Sequence, residues 1–162
     1  MRQRIQGVTL YELLMTLALV GIMAATGLPA FERTLAKNRQ TIEINALFHA
    51  LHLARKESIM RLKVVSLCPS LDGEQCTAGT DWSGGWILFE NSDRDSPPRV
   101  DSGEFVLQAH RVSGQVQIDA NRKGFTLRAT FLRATNGTFV VCDRRDRIPP
   151  KGLIVSYTGR PR

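Results

Sequence analysis

From Val8 to Phe31 the chain is almost wholly apolar, and the only charged residue in that run is Glu12. About 20 such residues are enough for a helix to cross a bilayer. Arg2 and Arg4 precede the run, a basic flank that predicts a cytoplasmic N-terminal end. A secretory signal has a shorter apolar stretch, followed by a small-residue cleavage site. Here the run passes into a helical pattern with no clear polar boundary, so the expectation is an anchor that stays with the chain. Glu12 is the anomaly. An unpaired carboxylate in hydrocarbon costs about 2.5 to 3.5 kcal/mol and is functional by default, although a place near the start of the run brings it close to the interface. Pro29 has no amide proton, so a kinked or opened helix is expected there. Gly21 and Gly27 weaken the same stretch by about 1 kcal/mol each relative to Ala.

From Phe31 to Leu62 the helix is expected to continue. Leu35, Ile42, Ala46, Leu47, Ala50, Leu51 and Ala54 recur at near-helical spacing and predict an apolar stripe facing a globular head. Beyond Lys63 the pattern becomes short β-rich runs: 64–67, 85–90, 104–112, 116–119, 125–132, 138–142 and 153–157. Asn136-Gly137 is the strongest hairpin signal, because both residues tolerate positive φ. Residues 91–103 are polar, contain Pro97-Pro98 and read as a mobile loop. No strand alternates with a helix, which argues against a parallel βαβ sheet. The expected class is α+β, with a long N-terminal helix, transmembrane in its first half, packed on an antiparallel β head.

Gly7-Val8-Thr9-Leu10-Tyr11-Glu12-Leu13-Leu14 resembles the type IV prepilin motif. Val8 stands where Phe is common and Tyr11 where Ile is common. The resemblance implies the type IV pilin fold, cleavage after Gly7 by a prepilin peptidase and N-methylation at Val8. It also implies that Glu12 pairs with the terminal amine of a neighbouring subunit, neutralising a charge that would otherwise be buried. The corresponding division is a leader at 1–7, a membrane and filament-core helix at 8–30 and a head at 31–162. Cys68-Pro69-Ser70, Asp72-Gly73, Cys76 and Asp81-Trp82-Ser83-Gly84-Gly85-Trp86 resemble the GspH/FimT group of minor pilins and pseudopilins. Implied partners are other major and minor pilins, the prepilin peptidase and the inner membrane, with the head in the periplasm and the subunit incorporated into a surface pilus.

Disulfides persist in that compartment. Cys68 and Cys76 bracket a short loop and are the preferred pair, but spacing alone leaves all three pairings with Cys142 open. No Cys-x-x-Cys pair occurs, and His49 and His52 alone do not make a metal site. Asp93 and Asp95 lack the Gly and distal Glu of a calcium loop. Ser83 is not in a nucleophile elbow. Neither a catalytic site nor a cofactor is expected.

The net charge is +7, and much of it sits at the C-terminal end. Residues 142–162 hold Arg144, Arg145, Arg147, Lys151, Arg160 and Arg162 against Asp143 and Asp146. Arginine forks donate paired hydrogen bonds to phosphate, and a flexible basic tail can follow a nucleic-acid backbone without reading sequence. Gly159-Arg160-Pro161-Arg162 resembles the ending of FimT-type minor pilins that bind DNA in natural transformation. That resemblance implies DNA contacts at Arg160 and Arg162, supported by Arg144, Arg145, Arg147 and Lys151. The alternatives are a minor pilin of a pilus-priming tip complex and a minor pseudopilin of a type II secretion system.

Overall fold

The computed structural model of the 162-residue chain describes residues 7–129 and 134–162. The leader before Gly7 and the end of the strand expected to reach Leu132 lie outside the described residues. Helix α1 spans Leu10–Arg61. Thr9 is its N-cap: the hydroxyl accepts the Glu12 amide at 3.3 Å and the carbonyl accepts the Leu13 amide at 3.1 Å. Glu12 therefore lies in the first turn, where the helix dipole favours a negative charge. The helix does not open at Pro29. Proline leaves one ladder position without a donor there, and the helical turns on either side continue through it.

The chain divides into two compact units, Met1–Leu35 and Ala36–Arg162. In the first, every described side chain up to Thr34 is exposed. Its apolar window has a mean hydropathy of 1.9, long and apolar enough to cross a membrane.

In the second unit, α1 buries Ala36, Gln40, Glu43, Leu47, Ala50, Leu51, Ala54 and Ser58. Steps of three and four keep these residues on one face. Ile42, expected on the apolar stripe, is 60% exposed, and the polar Gln40 and Glu43 occupy the buried face instead. The helix ends where Leu62 takes a left-handed φ of 53°.

Seven strands follow: β1 (Val65–Pro69), β2 (Trp86–Glu90), β3 (Val106–His110), β4 (Val116–Ala120), β5 (Phe125–Leu127), β6 (Gly137–Asp143) and β7 (Lys151–Val155). All pairings are antiparallel, in two sheets ordered β3-β2-β1-β5 and β4-β6-β7. β1 and β2 are buried on both faces. One face joins the main core with Leu47, Leu51, Trp82, Ile118, Phe125 and Phe139. The other carries Cys68, Ile87 and Phe89 under Cys76 and Val100.

Two loop expectations are corrected. Asn136-Gly137 is not a hairpin turn: β5 pairs with β1, and β6 pairs with β4 and β7. Gly137 instead permits close approach, because a Cβ there would meet Asn121 Oδ1 at 2.6 Å and Phe125 at 2.8 Å. The segment 91–103 is tied down rather than loose. Asn91 is buried and donates to Ser66 and Asp95, and Glu104 accepts the amides of Ser92 and Asp101.

Candidate functional site

The C-terminal basic segment is folded, not a flexible tail. Residues 156–162 turn back and extend the outer edge of β7. Ile154 and Arg162 exchange both backbone hydrogen bonds at 2.9 Å, and the Ser156 amide donates to Arg160 at 3.1 Å. Pro161 bridges to Val155 between these bonds, at a position where its missing N–H costs no ladder bond. The three-residue turn 157–159 closes with Gly159 at φ 72°, a left-handed conformation that favours glycine. Gly159 also touches the core: a Cβ would meet Leu127 at 3.0 Å and Ala134 at 3.2 Å.

This geometry orients the cations. Gly159 and Pro161 are buried, while Arg160 and Arg162 are exposed. Two residues apart on an extended segment, these arginines share one face at a spacing of about 6.6 Å. That is about twice the 3.4 Å axial repeat of phosphates along one strand, so the two forks can address separate phosphates. Arg144 and Arg145 are exposed just beyond β6, and Lys151 is exposed at the start of β7. Lys151 lies three positions before Ile154, the partner of Arg162, so the two groups of charge stand about 10 Å apart along the strand. Among the described residues, no carboxylate forms an ion pair with Arg144, Arg145, Lys151, Arg160 or Arg162.

Arg147 differs from the other expected contacts. It forks onto the buried Asp143 through Nε at 2.8 Å and Nη2 at 2.7 Å, and its amide also donates to that carboxylate. The Arg147 side-chain hydrogen bonds hold the Asp143 carboxyl down to about 2 against the opposing effect of burial. Arg147 organises the turn that presents Arg144 and Arg145, and its fork is already occupied. Arg144 also has a field neighbour in Asp81, whose carboxyl is lowered first by Ser83 and last by this arginine.

Cys68 and Cys76 form the disulfide, and Cys142 is free. Burial, followed by Asp119 and Asp146, pushes the Cys142 thiol up, which disfavours the reactive thiolate. Asp93, Asp95 and Asp101 bring carboxylate oxygens within 4.8 Å of one another. Asp95 is already engaged by Asn91 Nδ2 at 3.0 Å, and the Asp93 carboxylate accepts the Asp95 amide.

A sequence reading for charge and apolar stripes misses Gln40 and Glu43. Gln40 donates to the carbonyls of Val141 and Pro149. Glu43 contacts His110 Nε2 at 2.8 Å and accepts the Ser113 amide at 3.0 Å, and His110 in turn stacks on Trp86. Their spacing from Ala36 and Leu47 was the available signal.

A long helix, apolar in its first part and carrying a buried face in its second, followed by antiparallel sheets, is the type IV pilin fold. Two solved structures of the type IV minor pilin FimU of Pseudomonas aeruginosa share it. They have TM-scores of 0.52 and 0.53 and 20% identity, covering 78% and 81% of this chain and 90% and 89% of theirs. The minor pseudopilin EpsH from the Type 2 Secretion System of Vibrio cholerae matches at a TM-score of 0.51 and 11% identity, over 76% of this chain and 94% of its own. No curated protein sequence matches significantly. The family profile described as Type II transport protein GspH matches residues 43–159. The chain belongs to this GspH family of minor pilins and pseudopilins, structural subunits that associate with other pilins in a pilus or pseudopilus.

Proposed function

We propose that this protein is a minor type IV pilin whose head captures extracellular DNA for uptake in natural transformation. In this reading, prepilin peptidase cleaves after Gly7 and Val8 becomes the methylated terminus. Residues 8–30 anchor the subunit in the inner membrane and then in the filament core, and Glu12 pairs with a neighbour's terminal amine. The head, from residue 31, faces the periplasm and later the cell surface.

The observation that carries the DNA reading is the pair Arg160 and Arg162. Both are exposed, both lie on one face of a hydrogen-bonded edge, and neither is ion-paired among the described residues. Arg144, Arg145 and Lys151 extend the charge. Fixed geometry limits the ordering cost of binding, and contact with the backbone alone gives sequence-independent, salt-sensitive association. The test is binding of random-sequence duplex DNA across a salt series, by wild type and by Arg160→Ala/Arg162→Ala. Salt-dependent binding that is lost in the double variant is expected. Undiminished binding by the variant would overturn the assignment.

A second reading is favoured by the family match and the FimU and EpsH likenesses. Here the protein is an assembly subunit, either of a pilus-priming tip or of a secretion pseudopilus. It predicts that the double variant leaves DNA uptake unchanged, and that filament assembly or secretion fails without the protein.

A further inference from the structure

Arg122 and Lys123 follow β4, remote in sequence from the C-terminal cations, and both are exposed. The fold nevertheless places them just past the end of β4, in the sheet whose β7 the C-terminal segment extends. Asn121 pairs with Thr138 through backbone and side-chain hydrogen bonds, Thr138 pairs with Ile154, and Ile154 pairs with Arg162. Three inter-strand steps of about 4.8 Å place Asn121 about 14 Å from Arg162, with Arg122 and Lys123 next along the chain. The outward row between them is uncharged, with Thr138 and Ile154. Asp119 stands nearby on β4, engaged by Gln117 Nε2 at 2.8 Å.

Arg122 is held in place, because its Nε donates to the Asn136 carbonyl at 3.1 Å. Beside it opens a cleft of about 270 Å³. Its lining includes Arg122, Lys123, the hydroxyl residues Ser96, Thr126 and Thr135, and a wall of Pro98, but no carboxylate. A volume at the lower edge of the usual range for small-molecule pockets (~300 to 1,000 Å³) suits a phosphate-sized group better than a whole nucleotide. The neighbouring cleft across Pro97-Pro98 mixes Arg99 and Lys123 with Asp101 and is less suited to an anion.

We infer that the Arg122–Lys123 cleft is a second phosphodiester subsite, so that one nucleic-acid backbone is held at two places on the head. The inference rests on the reading of Arg160 and Arg162 as DNA contacts. Two anchors at separate places on the head set the direction in which the duplex crosses it, which a single pair of arginines does not.

The full chain in non-ionic detergent is titrated against a fluorescent random-sequence duplex across a sodium chloride series. Lys123→Gln leaves the Arg122 bond to Asn136 intact and is the primary variant; Arg122→Gln/Lys123→Gln is the second, and Arg160→Ala/Arg162→Ala the third. Each phosphate contact removed is expected to lower the slope of log K against log salt by about 0.9, so Lys123→Gln falls by about 0.9 and the double variant by about 1.8. Unchanged slopes in both, with binding weakened by Arg160→Ala/Arg162→Ala, would overturn the subsite and leave the C-terminal contacts standing. Reduced slopes in both, with Arg160→Ala/Arg162→Ala binding like wild type, would overturn the C-terminal contacts and with them the two-place hold, leaving the cleft as the sole contact. No binding by wild type would overturn both. Inorganic phosphate titrated alone separates the two sources of the group: Lys123-dependent phosphate binding, with the duplex slope unchanged in Lys123→Gln, would mean a free-phosphate site and overturn the backbone assignment. Matching thermal unfolding midpoints for Lys123→Gln and wild type exclude a folding effect.

Discussion

Gln40 on the helix and Val141 on β6 are joined by a buried hydrogen bond of 2.9 Å, and the same amide reaches the Pro149 carbonyl at 3.0 Å. One side chain thus fixes both sides of the connection between β6 and β7, the hairpin that leads to the C-terminal arginines. Gln40→Leu keeps the bulk and removes the donor shared by two carbonyls. Unfolding should become easier by about 1 to 3 kcal/mol, read as a fall of several degrees in the thermal midpoint. An unchanged midpoint would mean that water replaces the amide.

The Asp143–Arg147 pair predicts an acid dependence. The folded carboxyl lies at about 2, below its ordinary value of 3.8. A depressed carboxyl contributes stability that is complete above the unfolded value and is lost as pH falls through the folded one. Wild type should therefore weaken between about pH 4 and pH 2. Arg147→Leu should be less stable at neutral pH and flatter across that window. Parallel acid profiles for the two proteins would place the acid sensitivity elsewhere.

The disulfide closes a short loop, with a sequence separation of 8. Chain-entropy arguments give such a bridge roughly 2 to 3 kcal/mol. Cys68→Ala/Cys76→Ala should unfold several degrees lower and show no further loss on adding reductant. Reductant that destabilises the double variant as much as wild type would point to another cause.

Gly159→Ala tests whether order at the chain end matters for binding. A Cβ at φ 72° is disfavoured by about 1 to 2 kcal/mol and would also press on Leu127 and Ala134. Faster amide exchange at Ile154 and Arg162 is expected, with weaker DNA binding even though every cation remains. Loosened amides with unchanged binding would mean that the arginines work equally well without a fixed frame.

Much of the architecture was legible because it rests on repeated, local signals. The apolar run from Val8 and the β-rich runs after Lys63 set the α+β class, and each of the seven strands lies on or overlaps an expected run. What escaped the sequence depends on partners far along the chain. Gln40 and Glu43 look like solvent-facing residues until Val141, Pro149 and His110 come to meet them. Ile42 looks like core because its neighbours at helical spacing are apolar. Asn136-Gly137 carries turn chemistry, yet Gly137 is required by the approach of Asn121 and Phe125. Among the basic residues, composition could not separate Arg147, committed to Asp143, from Arg160 and Arg162, whose exposure follows from pairing with β7.

The return of residues 160–162 along β7 has a consequence for how this subunit behaves in a crowd. A bare edge strand offers a row of donors and acceptors to any passing chain and invites strand addition. Here Arg162 and Ile154 satisfy each other at that margin, and two positive side chains stand over it. Clipping the last five residues would remove the cations and unmask the margin together, producing a sticky protein whose loss of function has two causes. Substitutions that spare the backbone keep the seam closed, so any defect they produce belongs to the arginines.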